Sequence, residues 1–210
     1  MLKIQDNMKK IGIIGGTFDP IHNGHIYIAY EAYKKLGLDE VIFMPNGNPP
    51  HKRGKNITDD KIRCDMIKKA IAPYSFFAIN YYEIEKQGLS FTYETLKYLK
   101  QSLGEVELYF ITGADCLIDL HLWKNVDQIM KYCNFVVFNR PGFSKESILK
   151  EKIKVEKKYN TNIIFLDLLE LDISSSLIRE RIKNGLEVRF FIPEDVLSII
   201  QRENLYLKEK

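Results

Sequence analysis

Two histidines three residues apart follow the first apolar run of the chain. His22 and His25 end the segment GGTFDPIHNGH, residues 15–25, which begins with a glycine pair. Glycines let a backbone approach a phosphate closely, and imidazoles can donate hydrogen bonds to phosphate oxygens or to charge developing on a leaving group. The segment therefore predicts an anion site at a helix start, where backbone N–H groups also favour negative charge. The alternative is a glycine turn whose two histidines only cap the helix, but it does not explain why two glycines, a proline and two histidines occur within eleven residues.

A second group of anion donors stands near the other end of the chain. Three hydroxyls, from Ser174 to Ser176, open a predicted helix, and Arg179 follows one turn later. Serines at a helix N-terminus can cap the helix and bind an anion, while a guanidinium offers a planar fork of donors to the same anion. The alternative is a serine-capped amphipathic helix with an exposed arginine. The chain contains neither the G-x-G-x-x-G of dehydrogenases nor a P-loop.

Short apolar runs alternate with segments of helical periodicity, which predicts a mostly parallel sheet with helices on both faces. The fold class is thus α/β, Rossmann-like and doubly wound, with a C-terminal helical portion. Ligands of such sheets bind at the carboxyl ends of strands, where both anion groups should meet. Strands are predicted over 11–14, 41–44, 76–84, 107–112, 135–138 and 162–166, and helices over 24–36, 58–72 with Thr58 as N-cap, 92–103, 126–132, 145–159, 174–183 and 193–203.

Composition narrows the class of protein. A chain of 210 residues suits a single domain, 1–210. Its net charge of +3 by itself excludes no class of protein, but a dedicated nucleic-acid binder would usually show a larger, clustered excess of Lys and Arg, so no nucleic-acid partner is expected. No run approaches the ~18 apolar residues of a membrane span, and the first ten residues resemble no signal peptide, with Met1 and Met8 both open as the start. Three cysteines without paired spacing suit a reducing compartment, so a cytoplasmic location is expected, with a homo-oligomer left open.

The two anion groups together resemble the signatures of the HIGH-type nucleotidylyltransferase superfamily. That superfamily pairs a G-x-F-x-P-x-H loop with a G-H helix start, and its second signature usually has threonine where this chain has Ser176. The resemblance implies that His22 and His25 are catalytic, binding the triphosphate and stabilising the transition state. It implies ATP contacts at Gly15, Gly16, Thr17, Phe18, His22, His25, Gly113, Asp115, Ile173, Ser174, Ser175, Ser176 and Arg179.

Further segments narrow the family within this superfamily. Lys52, in a Pro-Pro-His-Lys loop, could hold a phosphate as a point charge, and Asp115 follows a predicted strand, where a carboxylate can accept from ribose hydroxyls. Taken singly, the Pro-Pro-His-Lys segment is explained more simply as a stiff loop, and Trp123 as a core residue. In this order they resemble bacterial nicotinate-nucleotide adenylyltransferases over nearly the whole chain. The resemblance implies acceptor contacts at Asn46, His51, Lys52, Ser90, Thr92, Trp123 and Arg140.

The reaction so implied is adenylyl transfer from ATP to nicotinate mononucleotide, with release of pyrophosphate, in NAD biosynthesis. Mg²⁺ is expected on the triphosphate, mostly through water, and no metal site of the protein's own is predicted. Leu89 and Phe91 depart from the proline and tyrosine usual in that family. Another adenylyltransferase of the superfamily, for example one acting on phosphopantetheine, and a catalytically idle nucleotide-binding module are the alternatives.

Overall fold

A parallel β-sheet forms the centre of the molecule. The computed structural model describes residues 8–47, 57–86, 88–139 and 142–208. Within these ranges the strands are β1 (Lys9–Gly16), β2 (Glu40–Pro45), β3 (Phe77–Ile79), β4 (Val106–Gly113), β5 (Asn134–Phe138) and β6 (Ile163–Leu166). They lie in the order β3-β2-β1-β4-β5-β6, and every pair is parallel.

The strand order reverses next to β1, which pairs with both β2 and β4. Ile13 lies opposite Ile42 on one side and Phe110 on the other. In a doubly wound sheet, a crevice for ligands opens at such a switch point, outside the carboxyl ends of the strands. The predicted fold class is therefore confirmed, and the segment that follows β1 lies at this crevice.

Helices cover both faces of the sheet. Within β1, Ile11 and Ile13 belong to one hydrophobic core and Ile14 to the other, because side chains alternate along a strand. The helices are α1 (Asn23–Leu36), α2 (Asp60–Ile71), α3 (Tyr82–Glu85), α4 (Thr92–Leu103), α5 (Ala114–Ile118), α6 (Val126–Tyr132), α7 (Lys145–Tyr159), α8 (Ser175–Lys183) and α9 (Glu194–Arg202). Helices α1, α2, α8 and α9 bury side chains in the core that holds Ile14, and α4 to α7 in the other.

Two local predictions are wrong. The strand predicted over 76–84 spans only Phe77–Ile79, because the Asn80 side chain accepts from the Tyr82 N–H at 2.9 Å and starts α3. The N-cap of α2 is Asp59 rather than Thr58: the Asp59 carboxylate accepts from the Lys61 N–H at 2.9 Å. Short helix α5 and a 3₁₀ turn over Asp119–Leu122 were not predicted.

Gly37 ends α1 in the left-handed conformation, with φ of 60°, as its position after the last apolar residue predicts. Across the part of the chain that the structure describes, every helix is too short or too polar to cross a membrane.

Candidate active site

A cavity of about 150 Å³ opens at the carboxyl ends of β1, β4 and β5. Six residues predicted from the sequence to bind ATP line it: Gly15, His22, His25, Gly113, Asp115 and Ile173. The sequence interpretation did not identify other lining residues, among them Tyr27, Thr112, Cys116, Asn139 and Leu168–Leu171. Thr112 and Asn139 could have been found, because they end or follow strands whose carboxyl ends face this crevice.

The loop after β1 packs tightly around Phe18. The Phe18 side chain is 2% exposed, and its ring meets that of His25 edge-to-face with centroids 5.0 Å apart. A Cβ atom at Gly16 would lie 3.1 Å from the Phe18 ring, so glycine leaves the space that this ring needs. The aromatic ring thus supports the histidine from the protein interior.

The two histidines lie together at the start of α1. Their rings stack with centroids 3.6 Å apart, and His22 is only 5% exposed. Gly24 makes room for this arrangement, since a Cβ atom there would lie 3.0 Å from His22 Nδ1. His25 Nδ1 accepts from the His22 backbone N–H at 3.2 Å, so His25 does cap the helix. In the neutral ring this places the proton on Nε2, which is then a hydrogen-bond donor.

The N-terminus of α8 is docked on the loop after β1. Ser174 caps the helix by accepting from the Leu177 N–H at 3.1 Å. The Ser175 hydroxyl donates to the Pro20 carbonyl at 2.9 Å, and Arg179 Nη1 donates to the Asp19 carbonyl at 2.7 Å. The two predicted anion groups, more than 150 residues apart in sequence, are therefore in direct contact.

The donors of α8 differ in what they can still offer a ligand. The Ser175 hydroxyl has one proton, and it goes to Pro20 in this conformation. Ser176 Oγ accepts from Arg179 Nη2 at 3.3 Å and keeps its own proton. Arg179 has five N–H donors and uses two of them in these contacts. Arg179, Ser176 and the first backbone N–H groups of the helix are the stronger candidates for an anion.

Four of the residues predicted to bind the acceptor are described by the structure, and none of these four lines the cavity described above. Thr92 is the first residue of α4, and Trp123 is half-buried with its ring edge-to-face against Phe110, centroids 6.1 Å apart. Ser90 is buried, and its hydroxyl donates to the Glu83 carbonyl at 3.5 Å. Asn46 follows β2 directly. His51, Lys52 and Arg140 lie outside the described residues.

Two carboxyl groups near Ser90 and Thr92 have opposite pKa shifts. Burial raises the pKa of Glu83, although a hydrogen bond from Thr95, at 2.7 Å, and the Lys86 charge work against it. Burial also acts to raise the pKa of Glu94, but hydrogen bonds from Lys86 and Tyr93 outweigh it and lower that pKa. Glu83 thus resists ionisation in the folded protein, while Glu94 favours it.

A buried carboxylate holds the middle of the loop after β1. Asp19 is 5% exposed and accepts from the Tyr206 hydroxyl at 2.5 Å and from the Thr58 N–H at 3.4 Å. Burial and the neighbouring Asp19 charge raise the pKa of Tyr206, which keeps the phenol protonated and able to donate. The C-terminal end of the described chain is thereby anchored to the loop after β1.

Known proteins resemble this chain over nearly its whole length. A family model described as cytidylyltransferase-like matches residues 13–181. A probable nicotinate-nucleotide adenylyltransferase of Clostridium perfringens (strain SM101) is 67% identical over 202 residues, which cover 96% of this chain and 100% of the relative. One of Clostridium botulinum (strain Eklund 17B) is 56% identical over 202 residues, again 96% and 100%. The chain belongs to the cytidylyltransferase-like family and to the nicotinate-nucleotide adenylyltransferases.

A solved structure supports the fold. Plasmodium falciparum nicotinic acid mononucleotide adenylyltransferase, complexed with NaAD, has a TM-score of 0.76 and 22% sequence identity, covering 94% of this chain and 97% of that chain. The family resemblance inferred from the loop after β1 and from the hydroxyls of α8 is confirmed.

Proposed function

We propose that the protein transfers the adenylyl group of ATP to nicotinate mononucleotide, giving nicotinate adenine dinucleotide and pyrophosphate, as a step of NAD biosynthesis. One observation carries the proposal. The crevice between β1 and β4 gathers both histidines and Asp115 around one cavity, in a chain 67% identical to a relative named for this activity. The retained histidine pair argues against an idle nucleotide-binding module.

The reaction needs positioning and charge stabilisation more than acid–base chemistry. An oxygen of the acceptor phosphate attacks the α-phosphorus of ATP while the bond to the bridging oxygen breaks and pyrophosphate leaves. A phosphate monoester is already largely ionised at neutral pH, with a second pKa of about 6, so no general base is required. Catalysis then rests on in-line geometry and on donors that face the developing negative charge.

The proposed donors fall into two groups. The backbone N–H groups of Gly16, Thr17 and Phe18 hold the α-phosphate. The leaving pyrophosphate is stabilised by His22 and His25, the latter through its Nε2–H, and by Ser176 and Arg179 of α8. Ser175 contributes through its backbone N–H at the start of α8, because its hydroxyl donates to Pro20. Donors fixed in advance by the fold stabilise charge without having to reorganise during the reaction.

The rest of ATP lies along the carboxyl end of β4 in this proposal. Asp115, in the first turn of α5, accepts hydrogen bonds from the ribose, and Gly113 allows close approach. Mg²⁺ enters as part of the Mg–ATP substrate, where it offsets triphosphate charge. In the described residues, no group of three or more His, Cys, Asp or Glu is placed to hold a metal ion, so the protein's own contribution is assigned to its N–H, hydroxyl and guanidinium donors.

The acceptor is proposed to lie between β2 and α4. Lys52 and Arg140 would neutralise its phosphate and Trp123 would stack on the pyridine ring, with Asn46, His51 and Thr92 around it. Ser90 belongs to this set through its loop, because its hydroxyl donates to a backbone carbonyl. A cytoplasmic location and self-association stay predictions.

A panel of acceptors tests the function. The purified protein is incubated with Mg–ATP and, separately, with nicotinate mononucleotide, nicotinamide mononucleotide and phosphopantetheine, while pyrophosphate release is followed and products are weighed by mass spectrometry. Turnover of the pyridine mononucleotides alone is expected. Turnover of phosphopantetheine would favour the other adenylyltransferase, and ATP binding without pyrophosphate release would favour the idle module.

A further inference from the structure

Arg63 is fully buried in α2, where arginine is rare unless all its donors are satisfied. Its guanidinium makes four hydrogen bonds in different directions. Nε donates to the carbonyl of Thr58 at 3.1 Å, Nη1 to that of Thr17 at 2.6 Å, and Nη2 to that of Asn46 at 2.9 Å and to the Asp60 carboxylate at 2.5 Å.

Two of these carbonyls belong to the loops on either side of the reacting groups. Thr17 follows β1, in the loop proposed to hold the α-phosphate, and Asn46 follows β2, on the proposed acceptor side. The Asn46 N–H also donates to the Gly16 carbonyl at 2.8 Å. One guanidinium thus ties both loops to α2 and fixes the distance between them.

The hydrogen bond from Arg63 to the Thr17 carbonyl also fixes the orientation of the peptide group between Thr17 and Phe18. In a trans peptide the carbonyl and the following N–H point in opposite directions, so a Thr17 carbonyl turned toward Arg63 turns the Phe18 N–H away from it. Phe18 has φ of 50°, in the left-handed region that side chains other than glycine seldom adopt. A turn of this kind persists only where its surroundings hold it, and Arg63 is one of the groups that do so.

We propose that Arg63 is a positioning residue for adenylyl transfer, which sets the direction of the N–H donors around the α-phosphate and their distance from the acceptor loop. The inference rests on the proposed function for its kinetic consequence. Arg63 acts through the loops, because its side chain is 1% exposed and its charge is paired with Asp60. Lysine cannot replace it, since an ammonium is a point donor and lacks the planar fork that reaches diverging carbonyls.

Kinetics of matched variants test the inference. Arg63→Lys and Arg63→Met are compared with Ile71→Ala, which removes buried apolar volume from the last residue of the same helix, eight positions from Arg63. All are assayed well below their melting temperatures, with rates given per folded molecule. Both Arg63 variants are expected to lose about 10²-fold in kcat, the scale of a slight misplacement of reacting groups. The ATP Kd from calorimetry should change less than about threefold. A mutation can misplace groups in the transition state without weakening the binding of ATP in the ground state.

Hydrogen exchange gives a readout that does not depend on turnover. Exchange of the backbone amides in 15–21 and 40–47 should rise in Arg63→Lys, whereas Ile71→Ala should change exchange within α2 only. The positioning role is overturned if exchange in segments 15–21 and 40–47 is unchanged. It is also overturned if Ile71→Ala loses as much kcat as Arg63→Lys. A wild-type protein that fails to form the dinucleotide overturns the proposed function instead, and the exchange data still decide the role of Arg63.

Discussion

His25 Nδ1 accepts the backbone N–H of His22 at 3.2 Å, and the two imidazole rings stack with centroids 3.6 Å apart. One side chain therefore both caps α1 and presents a fixed Nε2–H donor. The capping and catalytic interpretations of the histidine pair are compatible, since they use different nitrogen atoms of the same ring.

Removal of the His25 imidazole should affect catalysis more than folding. His25→Ala is expected to lower kcat by ~10²-fold or more, the usual scale for a lost donor to developing charge. The lost cap and ring contact cost ~1 kcal/mol of stability, so the melting temperature should fall by only a few degrees. His22→Ala should lower the rate similarly. His121→Ala, at an exposed position, is the control. Normal turnover by His25→Ala would contradict the assignment.

Much of the fold could be predicted because its signals are local. Apolar runs locate β1, β2, β4, β5 and β6 within a few residues, and Gly37 and Gly104 mark helix ends. The predicted length of β3 is too great, because the apolar pattern continues past Asn80. The Asn80 side chain accepts from the Tyr82 N–H and starts α3 there instead. Short helices such as α5 carry too few residues for periodicity to identify them.

The site could be predicted only in part, for a different reason. Motif spacing predicted that the loop with the two histidines and the hydroxyls of α8 meet, and the structure brings them into contact. It could not show that the Ser175 proton goes to Pro20, since that contact joins residues 155 positions apart. Arg63 donates to loop carbonyls and Tyr206 donates to the Asp19 carboxylate, and neither residue belongs to a motif that spacing could identify. Arg63 lies four residues before Ile67, on the same face of α2, and this spacing could have indicated that it is buried.

Gly15→Ala separates ligand binding from folding. Among the described residues outside the adjacent chain, the heavy atom nearest to a Cβ atom there is Asn46 Oδ1 at 3.9 Å, so the melting temperature should stay at the wild-type value. If the backbone of Gly15 approaches the triphosphate, the methyl group occupies space needed by ATP. The ATP Kd should then rise about tenfold, or ~1.4 kcal/mol. An unchanged Kd would place the triphosphate further from β1.

Gly47→Ala should disturb the acceptor side instead. A Cβ atom there would lie 1.9 Å from the Glu83 carbonyl oxygen, which is backbone and cannot move aside alone. The loop after β2 must shift, at a cost of ~1–3 kcal/mol for overpacking. We expect a lower melting temperature and a raised KM for the mononucleotide, with the ATP Kd preserved. Gly15→Ala is the matched control, with the opposite pattern.

The opposite pKa shifts of Glu83 and Glu94 predict opposite effects of neutralisation on stability. Because the folded-state pKa of Glu83 is raised, its favourable contribution is complete below the unfolded value of 4.5 and is lost as pH rises through the folded pKa. Glu83→Gln keeps an acceptor for Thr95 and removes that loss. Its melting temperature should exceed the wild-type value above neutral pH and converge with it under acid conditions.

Glu94 is the matched comparison. Its folded-state pKa is lowered, so its contribution is present above the unfolded value of 4.5 and is lost as pH falls through the folded pKa. Glu94→Gln should therefore melt below the wild type near neutral pH, and the difference should shrink in acid. Thermal unfolding of both variants across pH checks the pair; shifts of the same sign above neutral pH would contradict it.

The start of α4 is the place where we propose that the enzyme distinguishes a carboxylate from an amide on the acceptor. Thr92 is the first residue of the helix, and the N-cap Phe91 provides no side-chain acceptor for the first backbone N–H groups. Such groups favour negative charge. Lys124 Nζ lies 4.6 Å from the centre of the Phe91 ring, which adds a cation beside the same helix end. These features favour an anion over a neutral group.

We therefore expect nicotinate mononucleotide to be preferred over its amide. A carboxylate accepts on both oxygens, whereas an amide must donate from its NH₂, which donor groups cannot accept. Trp123 could stack on either ring and does not discriminate. One such mismatch is worth ~1–3 kcal/mol, so kcat/KM should differ about 10- to 100-fold. Lys124→Met should reduce that ratio, while Lys97→Met, at an exposed position of α4, should preserve it. Equal kcat/KM values for the two mononucleotides in the wild type would mean that the loop presents an acceptor to the substrate.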